Sequence, residues 1–194
     1  MGGYRRLRCP TGLRAPASPR RVTGLLADGV LRVGNDHLPI AAVSAHPAPD
    51  FAPPNGGGPS VPVPAAFTCL TPVVAAVPAT DGRSTPRYLR PTDGDAFSEA
   101  VRKKLLAKYR VLHGHDPSDT RLRLTFSPGY LARDRHQGTK KITFGKIDMI
   151  GALVPLTIEA APELLTLAWE CGIGQGNSMG FGMLDARPLA RGAK

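Results

Sequence analysis

Apolar residues in the middle of the chain recur at spacings that distinguish strands from helices. The run from Phe67 to Val77 is apolar and rich in β-branched residues, which predicts a buried strand. From Asp95 to Leu112, apolar residues repeat every three to four positions, and this period predicts an amphipathic helix. The residues on its predicted buried side are Phe97, Val101, Leu105, Tyr109 and Leu112.

The second half of the chain continues with shorter patterns. Charged and apolar residues alternate from Arg121 to Phe126, as they do in a half-buried strand. Lys140 to Ile158 predicts two more strands, joined near Asp148 to Gly151. Met179 to Ala186 predicts a last strand. Before it, a short helix is predicted to begin at Pro162 and to carry Leu164, Leu165, Ala168 and Trp169.

Apart from one additional strand between Lys140 and Ile158, the predicted elements follow the order β-α-β-β-α-β, which is the order of a ferredoxin-like unit. We therefore predict an α+β fold in which an antiparallel four-stranded sheet carries two helices on one face. RNA-binding modules use this topology, but so do small-molecule enzymes and metal carriers. The fold class thus leaves the function open.

The N-terminal third of the chain has a different composition. Residues 1–21 hold six arginines, three prolines and no acidic residue, which predicts poor order. Two short strands are predicted at residues 30–33 and 38–43, and residues 47–64 form a linker rich in proline and glycine. The predicted divisions are a basic segment at 1–46, this linker, a domain at 65–187 and a tail at 188–194.

The charge balance narrows the class of partner. Lysine and arginine number 25 against 15 acidic residues, so the formal net charge is +10. Such a charge favours a polyanionic partner, either nucleic acid or an acidic membrane surface. Aromatic residues make up only 6% of the chain, so few side chains are available to stack on bases.

The three cysteines lie far apart, at Cys9, Cys69 and Cys171, and form no C-x-x-C motif. This spacing argues against a metal cluster and favours reduced thiols, as in a cytoplasm. No apolar run is long enough to span a bilayer, and the N-terminus shows no secretory signal. We therefore expect a cytoplasmic protein without a membrane segment.

The strongest electrostatic feature is a basic segment from Arg133 to Lys146, which connects two predicted strands. Its position predicts a protruding hairpin or loop. Surfaces of this kind hold single-stranded RNA and RNA stems largely through salt-sensitive electrostatics. The alternative is a solvated loop that only keeps the protein soluble.

A second candidate is a glycine loop at residues 172–182, which holds five glycines in eleven residues. Such density indicates a backbone with φ > 0 or a close approach to another group, and unshielded N–H groups suit phosphate binding. The loop lacks the spacing of a dinucleotide fingerprint and the Gly-Lys-Ser/Thr of a Walker A motif. The alternative is a glycine-rich connection between a helix and a strand, with a helix cap at Gly172.

The glycine loop carries a more specific pattern, Gly-Ile-Gly-x-x-Asn-Ser-x-Gly-Phe-Gly-Met. This pattern resembles the C-terminal signature of the CRISPR repeat-processing endoribonucleases of the RAMP superfamily. The resemblance covers about residues 65–187, because further motifs follow that family's order and spacing. These motifs are Leu70–Val74, Tyr88–Leu89, Phe97 through Leu105 to Lys108–Tyr109, Lys140–Phe144, Ile150–Gly151 and Pro162–Leu165.

The resemblance implies cleavage of precursor crRNA within the CRISPR repeat, without a metal or other cofactor. A ribose 2′-hydroxyl would attack the adjacent phosphate and leave a 2′,3′-cyclic phosphate and a 5′-hydroxyl. Other subunits of a CRISPR effector complex are further candidate partners. The implied RNA contacts are Arg133, Arg135, Lys140, Lys141, Lys146, Gly174, Gln175, Asn177 and Ser178, with Gly172, Gly176, Gly180 and Gly182 completing the loop.

The catalytic residue is the part of the pattern that the sequence does not supply. The family's catalytic histidine lies in a first ferredoxin-like unit, of which residues 1–46 are expected to be a truncated remnant. His37 and His46 are candidates because they lie in this remnant, and His136 is a candidate because it lies in the basic segment. The identity of the base and the acid stays open. Two alternatives also stay open: a subunit that binds repeat RNA without cutting it, and a ferredoxin-like enzyme that binds a phosphorylated small molecule at the glycine loop.

Overall fold

A computed structural model describes residues 30–33, 36–39, 49–53, 61–79, 86–144 and 147–187. The chain divides into two units. Residues 11–48 form the smaller one, in which β1 (Val30–Val33) and β2 (Asp36–Pro39) are antiparallel. The second predicted strand therefore begins two residues earlier than expected, and the predicted residues after Pro39 lie outside the described ones.

The larger unit holds the remaining described elements. In chain order they are β3 (Val63–Cys69), β4 (Ala76–Val77), β5 (Arg87–Tyr88), α1 (Gly94–His113), β6 (Leu122–Phe126), α2 (Pro128–Arg133), β7 (Thr139–Phe144), β8 (Ile147–Ala152), β9 (Leu156–Ala160), α3 (Pro162–Cys171) and β10 (Leu184–Arg187). Single turns of 3-10 helix span Pro91–Asp93 and Asn177–Met179. Within the described ranges, every helix is too short or too polar to cross a lipid bilayer.

Four strands form the central sheet in the order β10-β3-β9-β6, and every neighbouring pair is antiparallel. With α1 between the first two of these strands along the chain and α3 between the last two, this is the ferredoxin-like topology that the sequence predicts. The register places Phe67 opposite Ala186 on one side and Leu156 on the other. The predicted α+β fold is therefore confirmed.

The hydrophobic core lies between one face of this sheet and the helices. Phe97 of α1 meets Phe126 of β6 edge to face, with ring centroids 4.9 Å apart. Leu164, Leu165 and Ala168 of α3 are buried in the same core. Packing of the predicted apolar stripe of α1 thus fixes the helix on the sheet, and Gly114, with φ of +76°, ends it.

Two predicted strands begin or end elsewhere. The strand predicted from Phe67 to Val77 begins earlier, at Val63, and stops at Cys69, after which the N–H groups of Leu70 and Thr71 both donate to the carbonyl of Met183. Val73 and Val74 instead form isolated bridges, to Ala152 and Gln175. The last strand begins at Leu184 rather than Met179, because residues 177–179 form a 3-10 turn.

The segment from Lys140 to Ile158 holds parts of three strands, not two. Asp148 to Gly151, predicted as a join, lie inside β8, which pairs with β7 from Thr139 opposite Ala152 to Phe144 opposite Ile147. β7 and β8 form a separate two-stranded sheet, so only β9 contributes to the central sheet. We call β7 and β8 the basic hairpin.

Candidate functional site

The basic segment begins with a tight turn at residues 133–138, the basic turn, whose first residue is the last residue of α2. The Asp134 carboxylate accepts hydrogen bonds from the N–H of Gly138, at 2.6 Å, and from the N–H of His136, at 3.4 Å. The first of these hydrogen bonds is the main reason that the pKa of Asp134 lies below its usual value. This carboxylate is therefore committed to holding the turn, while Arg133, Arg135 and His136 are exposed to solvent.

Gly138 fixes the basic turn to the core. Its φ is +71°, and a Cβ at this position would lie 1.8 Å from Cγ2 of buried Val154. The carbonyl of Gly138 also accepts a hydrogen bond of 2.9 Å from the N–H of Leu153. The basic turn thus rests directly on the sequence that leads into β9, which limits its freedom to move.

Lys140 and Lys141 differ in the charge that they leave available. Their side chains lie on opposite faces of β7 because successive residues of a strand alternate. Lys141 Nζ lies 2.8 Å from Oδ2 of Asp148 on β8, and this contact is the main reason that the pKa of Asp148 lies below its usual value. Lys140, Arg133 and Arg135 are all exposed. None of the three forms an ion pair with a described residue. Lys146 lies outside the described residues.

The glycine loop is folded tightly on itself. The Asn177 side-chain amide donates to the carbonyls of Ile173, at 3.0 Å, and Phe181, at 2.8 Å. Gln175 donates its side-chain amide to the carbonyl of Ala76, at 3.2 Å. The donors of Asn177 therefore serve the loop itself, as the turn-capping alternative expects, whereas Ser178 is exposed. RNA contacts by these residues and by the loop backbone stay predictions.

One buried segment joins the glycine loop to the basic hairpin. Val73 exchanges two backbone hydrogen bonds of 2.8 Å with Ala152, the last residue of β8. Its neighbour Val74 accepts a 2.8 Å hydrogen bond from the N–H of Gln175, and Gly182 donates to the carbonyl of Pro72 at the same distance. The two elements that the sequence analysis selected are therefore attached to consecutive residues of one segment.

The sequence model of the family "CRISPR associated protein Cas6, C-terminal" matches residues 60–186. The chain belongs to the Cas6 family. The match spans both the basic hairpin and the glycine loop, so the two features lie within the part of the chain that defines the family. No curated protein sequence gives a significant match.

Solved structures of similar fold are more distant in sequence. A Cas6-related protein from Pyrococcus furiosus is 18% identical, with a TM-score of 0.60 over 88% of this chain and 62% of that one. A RAMP protein that binds different RNA substrates is 16% identical, with a TM-score of 0.63 over 89% and 66%. A third, a CRISPR-associated Cas6 protein, is 23% identical, with a TM-score of 0.59 over 86% and 62%.

These three structures share the fold of this chain. The chain spans 62% to 66% of their length, which is less than two thirds. The activity of a complete Cas6 protein is therefore a proposal for this chain.

The candidate histidines lie in different places. His136 is exposed in the basic turn, beside Arg135. His37 lies in β2 of the smaller unit, opposite Arg32 in the register, and His46 lies outside the described residues. His113 and His115 group with Tyr109, whose ring centroid lies 4.2 Å and 5.8 Å from theirs. His136 is therefore the candidate that belongs to the described part of the larger unit, where exposed arginines adjoin it.

The Tyr109 group ties the two helices together. Its hydroxyl donates a 2.6 Å hydrogen bond to Glu163 of α3. Burial and this carboxylate raise the pKa of Tyr109 to about 12. The other carboxylate oxygen of Glu163 accepts the N–H of Ser118 at 3.1 Å. This arrangement serves to fix α3, whose C-terminal end starts the glycine loop.

Lys108 belongs to one of the motifs of the family resemblance, but its sequence position alone predicts no role for it. Its Nζ donates to the carbonyls of Gly172, at 2.8 Å, and Cys171, at 3.4 Å, at the end of α3. A cation suits this position because a helix C-terminus carries partial negative charge. The signal was its spacing, since Lys108 follows Leu105 by three residues and so borders the buried stripe.

Lys108 gives a pH-dependent prediction. Burial lowers its pKa from 10.5 to about 8, so between these values the unfolded chain binds more protons than the folded chain. The free energy of unfolding therefore gains a contribution from Lys108 as the pH rises from about 8 to 10.5. In urea unfolding at several pH values, we expect Lys108→Met to lose this gain, roughly 1–2 kcal/mol. Lys104→Met, at an exposed position one turn earlier, should keep it, and equal profiles for both variants would contradict the assignment.

The described residues give little support to a metal site or to a small-molecule site at the glycine loop. Among the described residues, no three histidine, cysteine or acidic side chains group as a metal site requires. Two surface clefts are lined by other parts of the larger unit, one around Phe51 and Pro162 and the other around Arg121 and Glu159. Neither cleft includes a residue of the glycine loop, so they give no support to a small-molecule site there.

Proposed function

We propose that this chain binds CRISPR repeat RNA and processes precursor crRNA as a metal-independent endoribonuclease in the cytoplasm. The observation that carries the proposal is a set of exposed cations without an ion pair to any described residue, Arg133, Arg135 and Lys140, on a turn and hairpin that share one anchoring segment with the family's glycine loop. Phosphates are the ligands that such a surface attracts, and counterion release from RNA makes the binding salt-dependent.

The proposed reaction is an internal transesterification. A general base accepts the proton of the ribose 2′-hydroxyl, whose oxygen forms a new bond to the adjacent phosphorus. The bond from phosphorus to the 5′-oxygen breaks, and a general acid gives that oxygen a proton. The products are a 2′,3′-cyclic phosphate and a 5′-hydroxyl. His136 is the candidate for one of the two proton transfers, and Lys140 or Arg135 for stabilising the negative charge on the phosphate.

The test is cleavage of labelled repeat RNA from the protein's own genome, with EDTA present. We expect one cut that survives EDTA and disappears when the nucleotide before the cut carries a 2′-deoxyribose. His136→Ala should slow the cut about 100-fold with little effect on RNA binding, since proton transfer contributes at least this factor. His113→Ala, in the Tyr109 group, is the matched control and should cut at the wild-type rate.

The second candidate function is binding of repeat RNA without cleavage, as a subunit of a CRISPR effector complex. It is favoured by the observation that the described part of the larger unit offers one candidate histidine, His136, for two proton transfers. Salt-sensitive binding without a cut would support this function. A cut that persists in His136→Ala would instead remove His136 from the mechanism and direct attention to His37 and His46.

A further inference from the structure

Tyr130 stands out among the aromatic residues of the larger unit. Tyr130 is 37% exposed. The other phenylalanine, tyrosine and tryptophan side chains described in the larger unit are buried or half-buried. The core does not need this ring, and α2, which carries it, has no buried residue. The ring is therefore accessible to a ligand.

The backbone under this ring is held firmly. The N–H groups of Tyr130 and Leu131 donate to the carbonyl of Ser127, at 3.2 and 3.1 Å, and the carbonyl of Tyr130 accepts the N–H of Asp134, at 3.1 Å. Leu131 packs against the core, while the hydroxyl of Tyr130 has no hydrogen-bond partner among the described residues. A ligand that stacks on this ring therefore orders little of the protein, which favours binding.

The charges around the ring select a ligand with phosphates. Arg133 follows Tyr130 by three residues on the same helix, so the two side chains leave α2 as neighbours. The Nε of Arg133 donates to the carbonyl of Gly129, at 2.9 Å, which fixes the start of its guanidinium group. Arg135 is exposed in the turn that follows, and the nearest acid in sequence, Asp134, is occupied by backbone N–H groups.

We infer that Tyr130 is a stacking site for an unpaired base of RNA whose phosphates bind Arg133 and Arg135. The base must be unpaired because bases within a stem are already stacked on their neighbours and present only their edges. This inference rests on the proposed function. It adds the requirement that the RNA be single-stranded next to the RNA segment that the basic hairpin binds.

The experiment compares two fluorescein-labelled RNAs. One is an RNA stem-loop with single-stranded flanks, and the other is the same stem-loop without the flanks. We expect Tyr130→Leu to bind the flanked RNA roughly tenfold more weakly, because stacking on one aromatic ring contributes about this factor. Tyr130→Phe should bind like the wild type. The stem-loop RNA without flanks should bind equally to the wild type, Tyr130→Leu and Tyr130→Phe. The salt dependence of RNA binding should be the same for all three proteins.

A spectroscopic readout locates the base. With 2-aminopurine at successive flank positions, one position should lose fluorescence on binding to the wild type and to Tyr130→Phe, but not to Tyr130→Leu. Wild-type binding of the flanked RNA by Tyr130→Leu, or an equal loss for both RNAs, would overturn the stacking site and leave RNA binding intact. No binding of either RNA by the wild-type protein would overturn the proposed function together with this inference.

Discussion

Gly182→Ala is expected to lower the free energy of unfolding by roughly 3–4 kcal/mol, the sum of a left-handed backbone and a severe overlap. The φ of Gly182 is +69°, and a Cβ there would lie 1.9 Å from the carbonyl oxygen of Ile173. This oxygen belongs to the backbone, so it cannot turn aside as the end of a side chain could. Ile173 also donates its N–H to the carbonyl of Gly182, at 2.9 Å, and that pairing would be lost.

Gly180 supplies the matched control. Its φ is +88°, but nothing lies within 4 Å of a Cβ built on it. Gly180→Ala therefore meets only the left-handed backbone and should lose about 1 kcal/mol. Urea unfolding of the two variants, followed by circular dichroism, compares them directly. Equal losses would mean that the close approach of the two backbones at Gly182 is not what the loop requires.

Reversing the charges of Arg135 and Lys140 together is expected to weaken binding of repeat RNA by a factor between about 100 and 1,000 at low salt. Both residues are exposed, and neither forms an ion pair with a described residue, so each is free to meet a phosphate. The Arg135→Glu, Lys140→Glu protein should also show a salt dependence reduced by about two phosphate contacts.

The control has the same change in charge on α1. Lys103→Glu, Lys104→Glu alters two exposed lysines outside the basic turn and the basic hairpin, and it should retain most of the affinity. Both pairs can be measured by fluorescence anisotropy over a range of salt concentrations. Equal losses in the two proteins would mean that net charge, and not the basic turn, binds the RNA.

A finer comparison uses the two adjacent lysines of the basic hairpin. Lys141 is already paired with Asp148, so Lys141→Ala should affect RNA affinity less than Lys140→Ala does. Nothing in the order of residues along the chain distinguishes these two lysines. Their difference depends on the register of β7 and β8, which places Asp148 opposite Thr143 and within reach of Lys141.

The fold could be predicted from the sequence because its main signals are local. The apolar stripe of α1 and the alternation of β6 need no knowledge of partners, and both were confirmed within two residues. The basic hairpin was harder, since apolar residues continue from β7 through β8 into β9. Such a pattern does not tell which strands pair, and only pairing separates β8 from the central sheet.

The parts of the site that the sequence missed depend on contacts between distant residues. The overlap that fixes Gly138 involves Val154, and Lys108 reaches carbonyls on another helix. Tyr130 was overlooked because a helix of six residues is too short to give a periodic signal. The sequence identified the two candidate binding elements, but not the residues that hold them in place.

The pairing of Val73 with Ala152 has a practical consequence for engineering. It secures the basic hairpin at the end where Thr139 lies opposite Ala152, whereas Phe144 lies opposite Ile147 at the other end of the two strands. Substitutions near Phe144 and Ile147 are therefore remote from the hydrogen bonds between Val73 and Ala152. The basic hairpin is therefore a natural unit for grafting, and a set of hairpin variants can be built on one scaffold.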